Sequence, residues 1–420
     1  MALRHLLGAC LLVATVLPSA AADDALTLGK AVAKAIADNP ELALGRYRDR
    51  AADALSREAA QPPPLDLGLE LENVGGTGQT RGLSGAETTL LLSRILERGN
   101  KAARRRGLAE GRGALVRTEA DIRRLDLLAR VARRFVHVVR DQNLLAVAEK
   151  AVALARRART QAQRRVEAGA APASEAARAD IALADAELEL EHAEHELKAT
   201  RVSLASLWGE RQPGFRQAAG DIYTLPQPDE LETLVAALEQ NPQLRRLADK
   251  QRIANARHRL ANAQRYTDIT VSGGIRRREF TDDNAFIIGL SVPLGSDQRA
   301  RPGIEAARAD AAANRHEREA ARRELYAVLY GRYQELKHAR TELDTLRQRI
   351  LPAADTALAD IRNGYTRGRY SYLALADAQR GLIEHRRRAI RAAERYHRHL
   401  IEIERLTGSS AAAVDKDYTP

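Results

Sequence analysis

Ile361-Arg-Asn-Gly-Tyr-Thr-Arg-Gly-Arg-Tyr-Ser-Tyr372 decides the fold, because two long amphipathic stretches meet head to tail across it. Upstream, Leu329, Leu336, Leu343 and Ile350 recur every seven residues, and Leu325 and Leu346 fill the same stripe. That is the spacing of a coiled-coil seam, so a helix here must pack along its whole length. Gly364 and Gly368 supply the freedom to turn the chain, and a second, Ala-rich helix runs from Ser371 to Leu406-Thr-Gly408. At 1.5 Å per residue the product is a helical hairpin of about 50 Å or more, too thin to hold an interior of its own. Such a hairpin implies partners.

Working outward, the same plan occurs earlier in the chain. A helical segment from Leu28 is interrupted at Asn39-Pro40-Glu-Leu42, resumes to about Ala60, and ends at Pro62-Pro-Pro64. Leu65-Asp-Leu-Gly-Leu-Glu-Leu-Glu72 then alternates strictly between apolar and polar residues, as a half-buried strand does. A second extended run, Glu87 to Leu96, leads into a helix from Asn100 to Glu167, about 100 Å long, with Leu108, Leu115, Ile122 and Leu125 in its seam. Ala168-Gly-Ala-Ala-Pro172 turns it back toward Leu207-Trp-Gly209.

Five landmarks then recur in one order. Asn241-Pro-Gln-Leu244 and Asp268 stand 202 residues after Asn39 and Asp66, Ser291 stands 198 after Ser93, and Gly368 and Leu406-Thr-Gly408 stand 199 after Gly169 and Leu207-Trp-Gly209. The chain is a tandem duplication. Its expected divisions are a signal peptide at 1–22, a first repeat at 23–208 with strands near 65–74 and 87–96 and a hairpin at 100–208, and a linker at 209–228. A second repeat follows at 229–408 with strands near 267–277 and 284–294 and a hairpin at 303–407, then a tail at 409–420.

The start of the chain places it outside the cytosol. Arg4, an apolar run from Leu6 to Leu17 and the small residues Pro18-Ser-Ala-Ala-Ala22 read as a cleavable secretory signal. Leu7-Gly-Ala-Cys10 loosely resembles a lipoprotein box, but the apolar run continues beyond Cys10, which favours an unlipidated start near Asp23. Cleavage removes the sole Cys and with it disulfides, thiolate metal sites and sulfur nucleophiles. The net charge of +11 is spread as Arg along every helix, so a solvated, salt-bridged surface is expected and nucleic acid is not a partner.

Four alternating strands, each of about 9 to 11 residues, suit a tilted crossing of a bilayer. A small sheet lying on the helices also fits alternation, but the signal peptide and the lack of any other core for these faces favour the membrane. Unpaired strand edges in hydrocarbon cost several kcal/mol per orphan group, so such a sheet must close, and four strands fall short of the roughly eight that the smallest barrels need. Oligomerisation follows.

The signal peptide, duplicated halves, paired Asn-Pro-x-Leu and the Tyr365-Thr-Arg-Gly368-x-x-Ser371 turn resemble the outer-membrane efflux proteins of the TolC family. The likeness covers about Leu28 to Gly408, and in its shortness the chain is similar to the outer-membrane subunits of heavy-metal cation RND efflux systems. It implies a mainly α chain with a membrane β-barrel, assembled as a homotrimer whose barrel of twelve strands sits in outer-membrane lipid and continues as a periplasmic helical tunnel. It further implies a periplasmic adaptor (membrane fusion protein) docked at tip residues Gly169, Tyr365, Gly368 and Ser371, fed by an inner-membrane RND pump.

Following the tip turn residue by residue, the resemblance places an acidic constriction residue at Asp377 and, by the repeat offset, Arg178 opposite it; a bridge between them would latch the closed tip. A solvated Asp377 paired with a neighbouring Arg is the plain alternative. The first tip lacks the Tyr of the second, Arg94 interrupts the second strand, and Tyr266, Phe280 and Phe286 are the main aromatic-girdle candidates. His192, His195, His397 and His399 lack the flanking partners of a zinc motif and are read as exposed helix residues. No metal, cofactor or catalytic set is expected. Two other functions compete: a periplasmic coiled-coil adaptor or scaffold without a pore, and a drug or type I secretion channel.

Overall fold

The computed structural model describes residues 25–408, so the expected signal peptide at 1–22 and tail at 409–420 lie outside the described residues. In the first half, β1 (Ala25–Leu26), α1 (Leu28–Asp38) and α2 (Pro40–Ala59) precede β2 (Leu65–Glu72) and β3 (Glu87–Leu96). They lead to the 67-residue α3 (Lys101–Glu167), and α4 (Ala173–Ala205) returns. The link carries β4 (Gln217–Ala218), which pairs parallel with β1 and so ties the joint between the halves to the start of the chain. In the second half, α5 (Leu231–Ala237) and α6 (Pro242–Ala263) precede β5 (Ile269–Arg278) and β6 (Asp283–Ser291). Then follow α7 (Ser296–Thr345), a π-helical segment Leu346–Ile350, α8 (Leu351–Thr366) and α9 (Tyr372–Thr407). The helix of the second hairpin thus begins at Ser296 and not near 303, because Pro302 is exposed and is carried inside α7 with one hydrogen bond missing.

The two Asn-Pro motifs are stitches. Asn39 caps α2 by accepting from Glu41 N–H, and its amide donates to the Leu207 carbonyl at 2.8 Å. Asn241 does the same for α6, accepting from Gln243 N–H and donating to the Leu406 carbonyl at 2.5 Å. Each half therefore ties the start of its strand-bearing helix to the end of its returning hairpin, with an amide buried on both sides. Pro at the next position costs nothing, since that first-turn N–H has no helical partner.

β2, β3, β5 and β6 form one antiparallel sheet in that order, leaving β2 and β6 as edges. The register puts Leu67 opposite Leu92, Leu92 opposite Gly273 and Gly273 opposite Ile288, so apolar residues line up on one face. β3 runs unbroken through Arg94, which pairs with Leu65 and Val271. The helices, meanwhile, pack lengthwise around α3: Val131, Phe135, Val138, Leu204, Trp208 and Ile390 belong to a core at the level of the link. Burying each such side chain stabilises the fold by about 1.5–3 kcal/mol. A separate cluster of Ala158, Ala162, Leu358, Tyr365, Leu375 and Leu382 fills the far ends of both hairpins.

Candidate functional site

The sheet has two chemically opposite faces. One carries Leu65, Leu67, Leu69, Leu71, Leu90, Leu92, Val271, Ile275, Phe286, Ile288 and Leu290, all exposed, with Phe286 and Ile288 each at 88%. Its only charged members are Arg94 and Arg277. The other face holds every sheet carboxylate: Asp66, Glu70, Glu72, Glu87 and Asp283, against Arg276 and Arg278. Arg276 gathers two of these acids, lying 3.0 Å from Glu72 and 3.1 Å from Glu87, and its Nε donates to Thr89 Oγ1. Five acids against two bases leave this face net negative. Phe280, beyond β5, is exposed at the loop end of the sheet, and Tyr266 is exposed at the helix end.

At the other pole, both hairpins turn by the same device. Ala170 N–H donates to Arg165 O and Arg369 N–H to Gly364 O, each at 2.8 Å, while Gly169 (φ +66°) and Gly368 (φ +73°) adopt the left-handed conformation the turn requires. Ser371 then caps α9 by accepting from Ala374 N–H.

Arg165 joins the two turns. Its Nη1 donates to the Tyr365 carbonyl at 2.8 Å, its Nη2 to the Ala170 carbonyl at 3.4 Å, its guanidinium stacks 4.8 Å from the Tyr365 ring centre, and its Nε lies 3.4 Å from Glu175. The Tyr365 hydroxyl in turn donates to Glu175. Burial, reinforced by the neighbouring Glu175 carboxylate, pushes the phenol far above its ordinary pKa, so it stays protonated and able to donate. Tyr365 is 0% exposed, which makes it an internal staple and removes its ring from any docking surface. The exposed tip residues include Gly169, Gly368, Tyr370, Ser371 and Leu373.

The bridge expected between Arg178 and Asp377 is not formed within one chain. Asp377, in the second turn of α9, pairs at 3.2 Å with Arg380, and both are exposed; Arg178 is exposed on α4. Arg165 and Glu175 are the tip residues that sequence reasoning missed. Their signal was faint: Arg165 stands four residues before Gly169, and Glu175 is in the first turn after Pro172.

The histidines divide. His192 and His195 are exposed on α4. His399, however, is buried, and half-buried His397 bonds through Nε2 to the Ile222 carbonyl at 2.9 Å, so the link packs over a helix face that its sequence alone leaves open. Burial lowers the pKa of both. Among the described residues no group of three or more His, Cys, Asp or Glu could hold a metal ion, and no helix is long and apolar enough to cross a membrane.

Comparison with known proteins places this geometry among relatives. The family profile described as outer membrane efflux protein matches residues 31–210 and 233–409. Over 316 residues, 74% of this chain and 75% of the relative, the sequence is 30% identical to the cobalt-zinc-cadmium resistance protein CzcC of Cupriavidus metallidurans. The structure is similar to VceC from Vibrio cholerae, an outer membrane protein, with TM-score 0.74 and 18% identity over 91% of this chain and 96% of that one. It is also similar to CusC, with TM-score 0.76 and 16% identity over 90% and 91% of the two chains. These two likenesses show a shared fold.

Proposed function

Because the chain belongs to the outer membrane efflux protein family, we propose that it is the outer-membrane channel of a tripartite system exporting divalent heavy-metal cations. The observation that carries this is the sheet: a lipid-compatible outer face, a net-negative inner face and two unpaired edges in one four-stranded unit. Three copies supply twelve strands, close every edge and surround a water-filled lumen. Inward carboxylates outnumber inward guanidiniums by five to two in each chain, a field that favours cations. The likeness to a cobalt-zinc-cadmium resistance protein supports metals as cargo. A scaffold without a pore gives no reason for an exposed aliphatic sheet.

The long helices continue the lumen across the periplasm, and the tips close it. The Arg165–Tyr365–Glu175 set holds the second tip against the first, and an adaptor linked to an inner-membrane RND pump docks on the exposed residues Gly169, Gly368 and Ser371 with Tyr370 and Leu373. Asp377, exposed one turn inside the tip, faces the entrance, with Arg178 on the neighbouring helix as the cation available to it in the assembled ring.

The test is deletion of the gene followed by growth on zinc, cobalt, cadmium and organic drugs, together with conductance of the purified protein in planar lipid. Loss of metal resistance with cation-selective conductance is expected. Loss of drug resistance alone indicates a drug channel, and absence of conductance indicates a scaffold.

A further inference from the structure

We propose that Arg94 is a phospholipid-headgroup site on the periplasmic rim of the barrel, an inference that rests on the membrane reading of the sheet. Four arginines lie in the strands. Arg276 is held by Glu72 and Glu87, Arg277 by Glu279 and Asp282, and Arg278 lies 3.7 Å from Glu87. Arg94 differs: it has no hydrogen bond or ion pair with any described residue, and it stands on the apolar face, opposite Leu65 and Val271 and between Leu92 and Leu96 along β3.

In water such a side chain would be ordinary. In hydrocarbon a guanidinium without a counter-ion is costly, and the cost is relieved when the stem lies along aliphatic neighbours and the head reaches the interface. Arg94 is placed for that, two residues from the end of β3 nearest the helices, so about 7 Å of strand separates it from the last paired residue. The polar chemistry at that depth is the phosphate of the inner-leaflet lipid, which a planar guanidinium binds through two parallel N–H donors.

Two further groups lie just beyond the strand end, toward the helices. Arg98, exposed and without an ion pair to a described carboxylate, follows the strand, and the exposed Tyr266 ring packs on Gly99, where an added Cβ would come 2.5 Å from Tyr266 Cδ2. An aromatic ring beside cations is the composition of a membrane interface. At the opposite border Arg277 already has its charge met by two carboxylates, so the lipid demand is confined to the periplasmic side.

The experiment measures phospholipid retained by trimer purified in mild detergent, by mass spectrometry, for wild type, Arg94→Leu, Arg94→Lys and Arg277→Leu. One guanidinium near an anionic headgroup is worth about 1 kcal/mol, so Arg94→Leu should lower retained anionic lipid about fivefold. Arg94→Lys should lose less and Arg277→Leu should match wild type. Short-chain phosphatidylglycerol should raise the thermal midpoint of wild type but not of Arg94→Leu, whereas inorganic phosphate should raise neither. Equal retention in Arg94→Leu overturns the proposal, as does equal stabilisation by inorganic phosphate, which would make it a site for the free anion. Trimer migration and β signal, read on the same samples, separate these outcomes: if wild type is monomeric and lacks them, the channel reading fails first.

Discussion

The two hairpins are copies of one plan with different spines. In the first, α3 runs 67 residues without interruption; in the second, the corresponding helix is divided by the π segment Leu346–Ile350, with Pro352 just beyond. Up to the first residue of the segment, Leu329, Leu336 and Leu346 stand 198 residues after Val131, Val138 and Ala148, buried counterparts in α3. After it, Leu351, Ala354 and Ile361 stand 199 after Val152, Ala155 and Ala162. One residue more has been absorbed within five. A π turn takes in an extra residue while the helix faces on either side stay aligned, which a regular α-helix cannot do without rotating everything downstream by about 100°. Pro352 has no N–H for the Gln348 carbonyl, so nothing draws the widened turn back to α geometry.

The comparison breaks most visibly by deletion. Removing Gln348 should convert the π segment into continuous α-helix with both cores in register, leaving trimer yield and the melting curve near wild type. Removing Ala148 from α3, where no widened turn exists, should turn the part of the helix beyond it, up to Glu167, by about 100° and abolish assembly. Two deletions of equal effect would end the insertion account.

Next in size comes the staple that joins the hairpins. Arg165→Ala leaves two tip carbonyls and the Glu175 carboxylate without their shared cation, a loss of about 2–4 kcal/mol, and should raise conductance and leakage of large drugs into the cell. Tyr365→Phe removes only the hydroxyl bond to Glu175, costs about 1.5–3 kcal/mol, and should open the tip less. Unchanged conductance in both variants would mean that the tips are held elsewhere.

The stitches differ less. Asn241→Ala, at a side chain 2% exposed, should cost about 1–2 kcal/mol, and Asn39→Ala, at 7%, somewhat less, as read by chemical unfolding. A larger loss at Asn39 would reverse the ranking of the two halves.

The smallest contrast is with pH. His397 and His399 belong to the second half only; the first half has Lys198 and Thr200 at the matching positions. Burial holds their folded pKa values below the ordinary histidine value, so the unfolded chain takes up protons first as pH falls. Stability is therefore full above about pH 6.5 and declines below it, by a few degrees in thermal midpoint at pH 5.5. Glu404, whose burial raises its pKa, works in the opposite sense, so the effect should be clearest in a Glu404→Gln background. A midpoint that does not move in that background would assign the acid response to other groups.

How much of this was legible follows from range. The sheet face could be read because alternation is a local signal of period two, and the duplication because Asn-Pro, Leu-Trp-Gly and Leu-Thr-Gly recur in order. The staple could not: Arg165 and Glu175 lie some 200 residues from Tyr365, and only the packing of one hairpin on the other brings them together. The pairing of Asp377 with Arg380, three residues on, was legible as the local alternative, whereas no local signal bears on Arg178. His397 was misread because a link segment, carrying Ile222, covers its face of α9, and His399, on the other side of that helix, because it lies beside Arg332 and Glu335 of α7; His192 and His195 are exposed as expected.

The open edges at β2 and β6 also bear on genetics. In the proposed trimer, a subunit whose edge strand cannot pair spoils the seam that strand enters, and with it the whole ring. A cell making sound and edge-defective copies in equal amounts would assemble only about one intact trimer in eight, so such alleles should behave as dominant.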